Sequence, residues 1–191
     1  MKQYDARNLS MMFDLYEMTM ANGYFEDTKR DQDEYVSFDV FYRNNPDKAG
    51  FAIFAGLEQV LDYLENMHFS PEDINYLRSL HIFGEPFLEW LRTYQFRGSV
   101  YAMPEGSVIY PDEPILTVFA PLIDAQLVET AILCEINHQS LITTKTQRIV
   151  KAAQGRGVSD FGARRAHNMD AAIYGARAAY IGGAGSTATV L

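Results

Sequence analysis

The sequence predicts an α/β fold, and three observations carry that expectation. Tyr35–Phe41 (YVSFDVF) alternates, with Val36, Phe38 and Val40 on one face and Tyr35, Ser37, Asp39 and Phe41 on the other; side chains two apart share a face of a strand. Ser70-Pro71-Glu72-Asp73 opens a helix, since it combines a Ser cap, a proline at the first helical position and acids in the first turn. From Asp124 onward a long helical stretch, a short strand ending in glycine and a further helix follow one another, the rhythm of a parallel α/β unit.

Taken in order, Leu9–Phe25 has helical spacing, with Met12, Leu15, Met18, Tyr16 and Met20 expected to face inward. Glu26–Glu34 is a charged break before the first strand, and Asn44-Asn45-Pro46-Asp47 is turn chemistry. Leu57, Val60, Leu61 and Leu64 form a helical stripe. Ile74, Leu77 and Leu80 continue the helix that Ser70 caps, and Pro86–Tyr94 is a further helix around Phe87, Leu88, Trp90 and Leu91. The character then changes. Val100–Met103, Val108–Tyr110 and Ile115–Phe119 are short strand-like runs between proline- and glycine-bearing turns, and they predict one small antiparallel or barrel-like sheet. Helical spacing resumes through Leu127, Val128, Ala131, Ile132, Leu141, Ile142, Ile149 and Val150. Val158–Gly162 is a strand and Ala171–Tyr180 a helix.

Composition excludes several classes. The 191 residues carry 16 Lys+Arg against 25 Asp+Glu, a net charge of −9, which argues against broad nucleic-acid or anionic-membrane binding. Hydrophobic residues at 48% and charged residues at 21% are those of a globular chain. No apolar stretch approaches the roughly 20 residues that span a bilayer, the opening lacks a signal-peptide core, and the lone Cys134 forms no internal disulfide. A cytoplasmic location is expected. Cys134 itself reads as a small buried hydrophobe on an apolar helix face.

Generic catalytic patterns are absent: the sequence has no phosphate-binding P-loop, nucleophile elbow, HExxH or CxxC pair. His68, His81, His138 and His167 are scattered without metal spacing. Asp160-Phe161-Gly162-Ala163-Arg164-Arg165 stands apart, because two guanidinium groups directly after a strand sit where parallel α/β folds hold ligands. Arginine's planar fork suits carboxylates and phosphates, and a phenyl ring beside it offers a stacking surface. The alternative reading is a core phenylalanine with two solvated arginines.

Longer blocks carry more information. Met12–Phe25 (MFDLYEMTMANGYF) resembles the opening helix of the nicotinate phosphoribosyltransferases. The resemblance continues in order through Phe41–Pro46, Ala55-Gly56-Leu57, Gly98, Pro104-Glu105-Gly106, Pro111–Pro114, Glu129–Leu133, Thr143-Thr144-Lys145, Asp160–Arg165, Gly175–Ala179 and Gly182-Gly183. It covers essentially the whole chain. The run Gly182-Gly183-Ala184-Gly185 departs from the family's usual GGxxGTSN text.

This resemblance implies a type II phosphoribosyltransferase, which joins nicotinate to the ribose C1 of phosphoribosyl pyrophosphate and releases pyrophosphate and nicotinate mononucleotide, a step of NAD biosynthesis. It implies ATP hydrolysis coupled through a phosphohistidine, magnesium, and a head-to-tail homodimer with shared active sites. The family fold pairs an N-terminal α+β domain, here residues 1–124, with an irregular α/β barrel whose first part would be residues 125–191. By position, Phe161 resembles one side of a sandwich around the pyridine ring and Tyr16 the other side, donated by the partner subunit. Arg164 resembles the cation beside the ring, and Asp14 a residue near the ribose or its magnesium. Arg43, Lys145 and Arg165 resemble phosphate ligands; surface ion pairing is the alternative for each, and a core position is the alternative for Tyr16. Related nicotinamide-using enzymes carry an aspartate near the position of Ala188. The small neutral residues of Ser186–Val190 therefore imply nicotinate, whose carboxylate an aspartate would repel.

None of the four histidines matches the phosphohistidine position, which is expected beyond Leu191. A full α/β barrel takes about 250 residues, and roughly 65 follow Asp124. The chain is thus expected to be the N-terminal part of such an enzyme, inactive alone. The competing expectation is a non-catalytic assembly module that pairs with a partner chain supplying the rest of the barrel.

Overall fold

A computed structural model describes residues 7–27 and 33–189. The first six residues, most of the charged break and Val190 of the last loop lie outside the described residues. The helices are α1 (Leu15–Glu26), α2 (Leu57–Asn66), α3 (Pro71–Ser79), α4 (Glu85–Leu91), α5 (Leu122–Leu127), α6 (Glu129–Ala152) and α7 (Met169–Ile181). The strands are β1 (Tyr35–Val40), β2 (Ala52–Ile53), β3 (Ser99–Ala102), β4 (Val108–Ile109), β5 (Leu116–Pro121), β6 (Ser159–Asp160) and β7 (Ser186–Thr187). Mixed helix and sheet is the class the sequence predicts.

Two compact units are woven from alternating stretches of chain. The first takes Met1–Asp39, Glu58–Tyr101 and Thr117–Leu133; the second takes Val40–Leu57, Ala102–Leu116 and Cys134–Leu191.

In the first unit, α1 packs on α5 and α4, and α3 packs on α4. Phe25, Phe87 and Trp90 form its aromatic core, with ring centroids 5.4 to 5.9 Å apart, and Tyr94 closes on Trp90 edge-on at 5.4 Å, within the spacing such pairs favour. Ser70 starts α3 as the sequence predicts: its Oγ accepts the Asp73 N–H at 3.1 Å while its own N–H donates to Asp73 Oδ2 at 2.8 Å, a reciprocal cap. The first helix differs from expectation. It begins at Leu15 rather than Leu9, and its buried residues are Glu17, Met18 and Ala21, while Met12, Leu15, Tyr16 and Met20 are exposed. Apolar residues surround this helix on every side, so the sequence period singles out no face, and contact with α5 and α4 decides which side is buried.

The three strand-like runs between residues 100 and 119 divide between two sheets instead of forming one. β3 and β5 join β1 in the order β1-β5-β3, whereas β4 pairs antiparallel with β2. In the second unit, β6 and β7 are parallel, Ser159 opposite Ser186 and Asp160 opposite Thr187, with α7 as the connecting helix.

Within the second unit α6 buries Gln139, Ser140, Thr143 and Thr144 and exposes Leu141 and Ile149, against the simple amphipathic rule. The reason is the neighbouring chain around β2. Ile53 N–H donates to Thr144 Oγ1 at 2.8 Å and Ala55 N–H to Ser140 Oγ at 3.0 Å, so hydroxyls satisfy backbone groups that would otherwise be buried unpaired. The next residue, Gly56, has φ +108°, and a Cβ there would lie 2.8 Å from the Glu135 carbonyl oxygen. Only glycine fits so close an approach in that conformation. Cys134, expected to be buried, is exposed, because α6 turns its hydroxyl side inward.

Candidate functional site

In the second unit the parallel pair β6–β7 gathers several of the sequence-predicted residues at its C-terminal end. Asp160 Oδ1 accepts the Gly162 N–H at 2.9 Å and turns the chain out of β6. A single 3-10 turn, Ala163–Arg165, then carries Arg164 and Arg165, both exposed. Phe161 is 63% exposed, so the core-residue alternative fails and its ring faces outward. Next to it, Ala188 N–H donates to the Asp160 carbonyl at 2.8 Å. Phe161, the two arginines and Ala188 therefore share the strand ends where parallel α/β units hold ligands. Thr187 and Ser186 supply neutral side chains, the latter bonded to Ser159 at 2.7 Å. No carboxylate is contributed by the described part of Ser186–Val190.

The other second-unit candidates lie elsewhere. Lys145, on α6, pairs with Asp47 at 3.2 Å, which also takes Arg148 at 3.1 Å. Arg43 is exposed in the turn after β1. Glu105, unremarked in the sequence beyond its matched block, proves structural: its carboxylate accepts the Gly56 N–H at 2.6 Å and the Leu57 N–H at 3.1 Å, at the start of α2, and pairs with Arg177 of α7 at 2.9 Å. Burial pushes Glu105 up, but Arg177 and the two N–H groups outweigh it and hold the carboxyl below its usual range.

In the first unit, Asp14 is exposed at the N-cap of α1 and makes no side-chain cap bond. Tyr16, 46% exposed, is not a core tyrosine; desolvation, followed by the Glu129 carboxylate beside its hydroxyl, raises its pKa. Between them and the interior lies Glu17, which sequence reasoning missed. Its residue is 0% exposed. Oε1 accepts both Thr130 Oγ–H at 2.6 Å and Thr130 N–H at 3.1 Å, while the buried Oε2 has no partner. Desolvation, reinforced by Glu129 and Asp14 against the opposing Thr130 bonds, pushes Glu17 up to about 7. No signal in the sequence marks it, because apolar residues lie all round α1 and the buried set Glu17, Met18 and Ala21 emerges only from the packing. A groove of about 580 Å³ elsewhere in this unit, lined by Leu61, Met67, His68, Phe96 and Val100 among others, contains none of the predicted residues.

Among the described residues no three His, Cys, Asp or Glu side chains converge as metal ligands. These residues do not fit a magnesium cage built by protein alone. Of the histidines, His68 Nδ1 lies 2.7 Å from Asn66 O and His138 Nε2 3.3 Å from Ala171 O. No helix among the described residues is long and apolar enough to cross a membrane.

The comparisons agree on one family. Residues 11–137 match the model of the nicotinate phosphoribosyltransferase (NAPRTase) N-terminal domain. The chain is 44% identical over 182 residues to a nicotinate phosphoribosyltransferase of Mycobacterium tuberculosis, covering 95% of this chain and 39% of the relative. To that of Bacillus subtilis it is 45% identical over 183 residues, covering 96% and 37%. The crystal structure of human nicotinic acid phosphoribosyltransferase superposes with a TM-score of 0.85 at 31% identity, over 93% of this chain and 36% of that one. The chain thus spans less than two fifths of the length of these relatives. On the family model and these identities, the chain belongs to the nicotinate phosphoribosyltransferase family and corresponds to its N-terminal domain and the stretch that follows.

Proposed function

We propose that the protein to which this chain belongs condenses nicotinate with phosphoribosyl pyrophosphate, with ATP hydrolysis coupled to the reaction. The observation that carries this reading is the grouping of Phe161, Arg164 and Ala188 at the ends of β6 and β7. An exposed phenyl ring supports a flat heterocycle, a guanidinium meets its carboxylate, and a methyl group at 188 leaves that carboxylate unopposed. The pyridine nitrogen then attacks ribose C1 as the bond from C1 to the pyrophosphate oxygen breaks, and the pyrophosphate departs with that electron pair. Arg165 and Arg43 are the cations offered to phosphate oxygens; Lys145 joins them by exchanging Asp47 for phosphate. Tyr16 closes the ring sandwich from a second copy of the chain, so the active form is a homodimer. Asp14 supplies one carboxylate toward the ribose, and any magnesium there is carried largely by substrate phosphates.

The test is pyrophosphate release by the full-length gene product with nicotinate against nicotinamide, each with phosphoribosyl pyrophosphate. Release with nicotinate at least about tenfold faster in kcat/KM supports the assignment. Equal rates, or no release with either base, would remove it.

A further inference from the structure

Hydrophobic burial alone leaves the rotation of α1 about its axis underdetermined, because apolar residues lie all round it. A polar contact supplies what they do not. Thr130, second residue of α6, accepts the Asp14 N–H on its Oγ1 at 3.4 Å and passes its own hydroxyl proton toward Glu17 Oε1 at 2.6 Å. The same oxygen takes the Thr130 N–H at 3.1 Å, one of the first-turn donors a helix cannot satisfy by itself. The Glu17 N–H returns to the Asp14 carbonyl at 3.0 Å. The ring of bonds runs from Asp14 to Thr130 to Glu17 and back to Asp14.

We infer that Glu17 and Thr130 are positioning residues whose side chains tie the first turn of α1 to the start of α6, and so fix where Asp14 and Tyr16 point. Glu17 is adjacent to Tyr16, and successive helix residues are about 100° apart around the axis. Met18 and Ala21 lie on one side of Glu17 and are buried with it, so holding Glu17 in the interior leaves Tyr16, about 100° away on its other side, turned outward, where it is seen. The bond to the Asp14 N–H fixes where the helix begins. Neither Glu17 nor Thr130 need touch substrate. The inference rests on the reading that Tyr16 and Asp14 meet the substrates.

Thr130→Val keeps the shape of the side chain and deletes both hydroxyl functions; Thr130→Ser restores them. In the full-length enzyme, Thr130→Val is expected to raise the KM for nicotinate about tenfold, with Thr130→Ser within about threefold of the parent. In a Tyr16→Ala background the further effect of Thr130→Val is expected to shrink below about threefold, because the residue being positioned is gone. Hydrogen exchange at the Asp14–Glu17 amides is expected to accelerate in Thr130→Val and not in Thr130→Ser. If Thr130→Val does not purify, Thr130→Ala takes its place in every arm. Unchanged exchange, or a KM effect that persists undiminished without Tyr16, overturns the positioning role. Unchanged kinetics in Tyr16→Ala together with accelerated exchange would instead remove the substrate role of Tyr16 and leave the tie standing.

Discussion

Glu17→Gln is expected to change how stability depends on pH more than stability at any one pH. The folded protein holds the Glu17 proton up to about 7, against an ordinary 4.5. Between those values the folded state binds a proton that the unfolded chain has released, so stability falls as pH rises through the window. It is fully present below about 4.5 and lost above about 7. At about 1.36 kcal/mol per pH unit, the ceiling of this loss is ~3 kcal/mol, and salt screening of Glu129 and Asp14 trims it toward ~2 kcal/mol. An amide keeps an acceptor for Thr130 and cannot ionise. The assay is the difference in unfolding free energy between parent and variant from pH 4.5 to 8, by denaturant titration, which cancels every group common to both. The variant is expected to gain ~2 kcal/mol on the parent across the window and nothing further above pH 7.5. Parallel stability curves would refute the account of Glu17 as a carboxyl stranded with one unpaired oxygen.

Under the proposed function, Phe161→Ala in the full-length enzyme is expected to leave the thermal midpoint nearly unchanged, because an exposed ring contributes within about 0.5 kcal/mol, while the KM for nicotinate rises at least about tenfold in steady-state assays. In the same full-length enzyme, and on the same proposed reading, Ala188→Asp is expected to move the nicotinate-to-nicotinamide ratio of kcat/KM toward the amide by about tenfold or more, read by competing the two bases. Gly56→Ala meets both a positive φ and a carbonyl 2.8 Å away; a loss of about 3 kcal/mol in denaturant titration is expected. Glu105→Gln removes the charge partner of Arg177 and weakens the cap of α2, and is expected to cost about 2 kcal/mol in the same measurement.

Local rules were legible where a few consecutive residues decide the outcome. The Ser70–Asp73 cap, the alternation of Tyr35–Val40 and the strand and helix that become β6 and α7 are of that kind, whereas β7 lies in a segment that reads as a loop. The grouping of Phe161 with the two arginines was readable because a single turn joins them. The approach of Ala188 to Asp160 was not, since it depends on β6 and β7 pairing across the intervening helix. The inward face of α1 was misread for want of periodicity, and α6 because its buried side is polar. No property of Ser140 or Thr144 in isolation says that a backbone needing donors and acceptors will lie against them. Glu105 and Glu17 share that obscurity: each looks like a surface acid until its distant partner, Arg177 or Thr130, is known.

The hydroxyl seam of α6 has a mechanical consequence. Ser140 and Thr144 are one turn apart, about 6 Å along a helix, and Ala55 and Ile53 are two residues apart, about 6.6 Å along an extended chain. The two repeats run nearly in step, so both bonds form together or not at all. Apolar surfaces tolerate sliding, since one methyl group substitutes for another, but a shift of a single residue here, about 1.5 Å along the helix, would break both pairs at once. Within the second unit, then, α6 is indexed against the Ile53–Ala55 segment like a toothed bar in its rack.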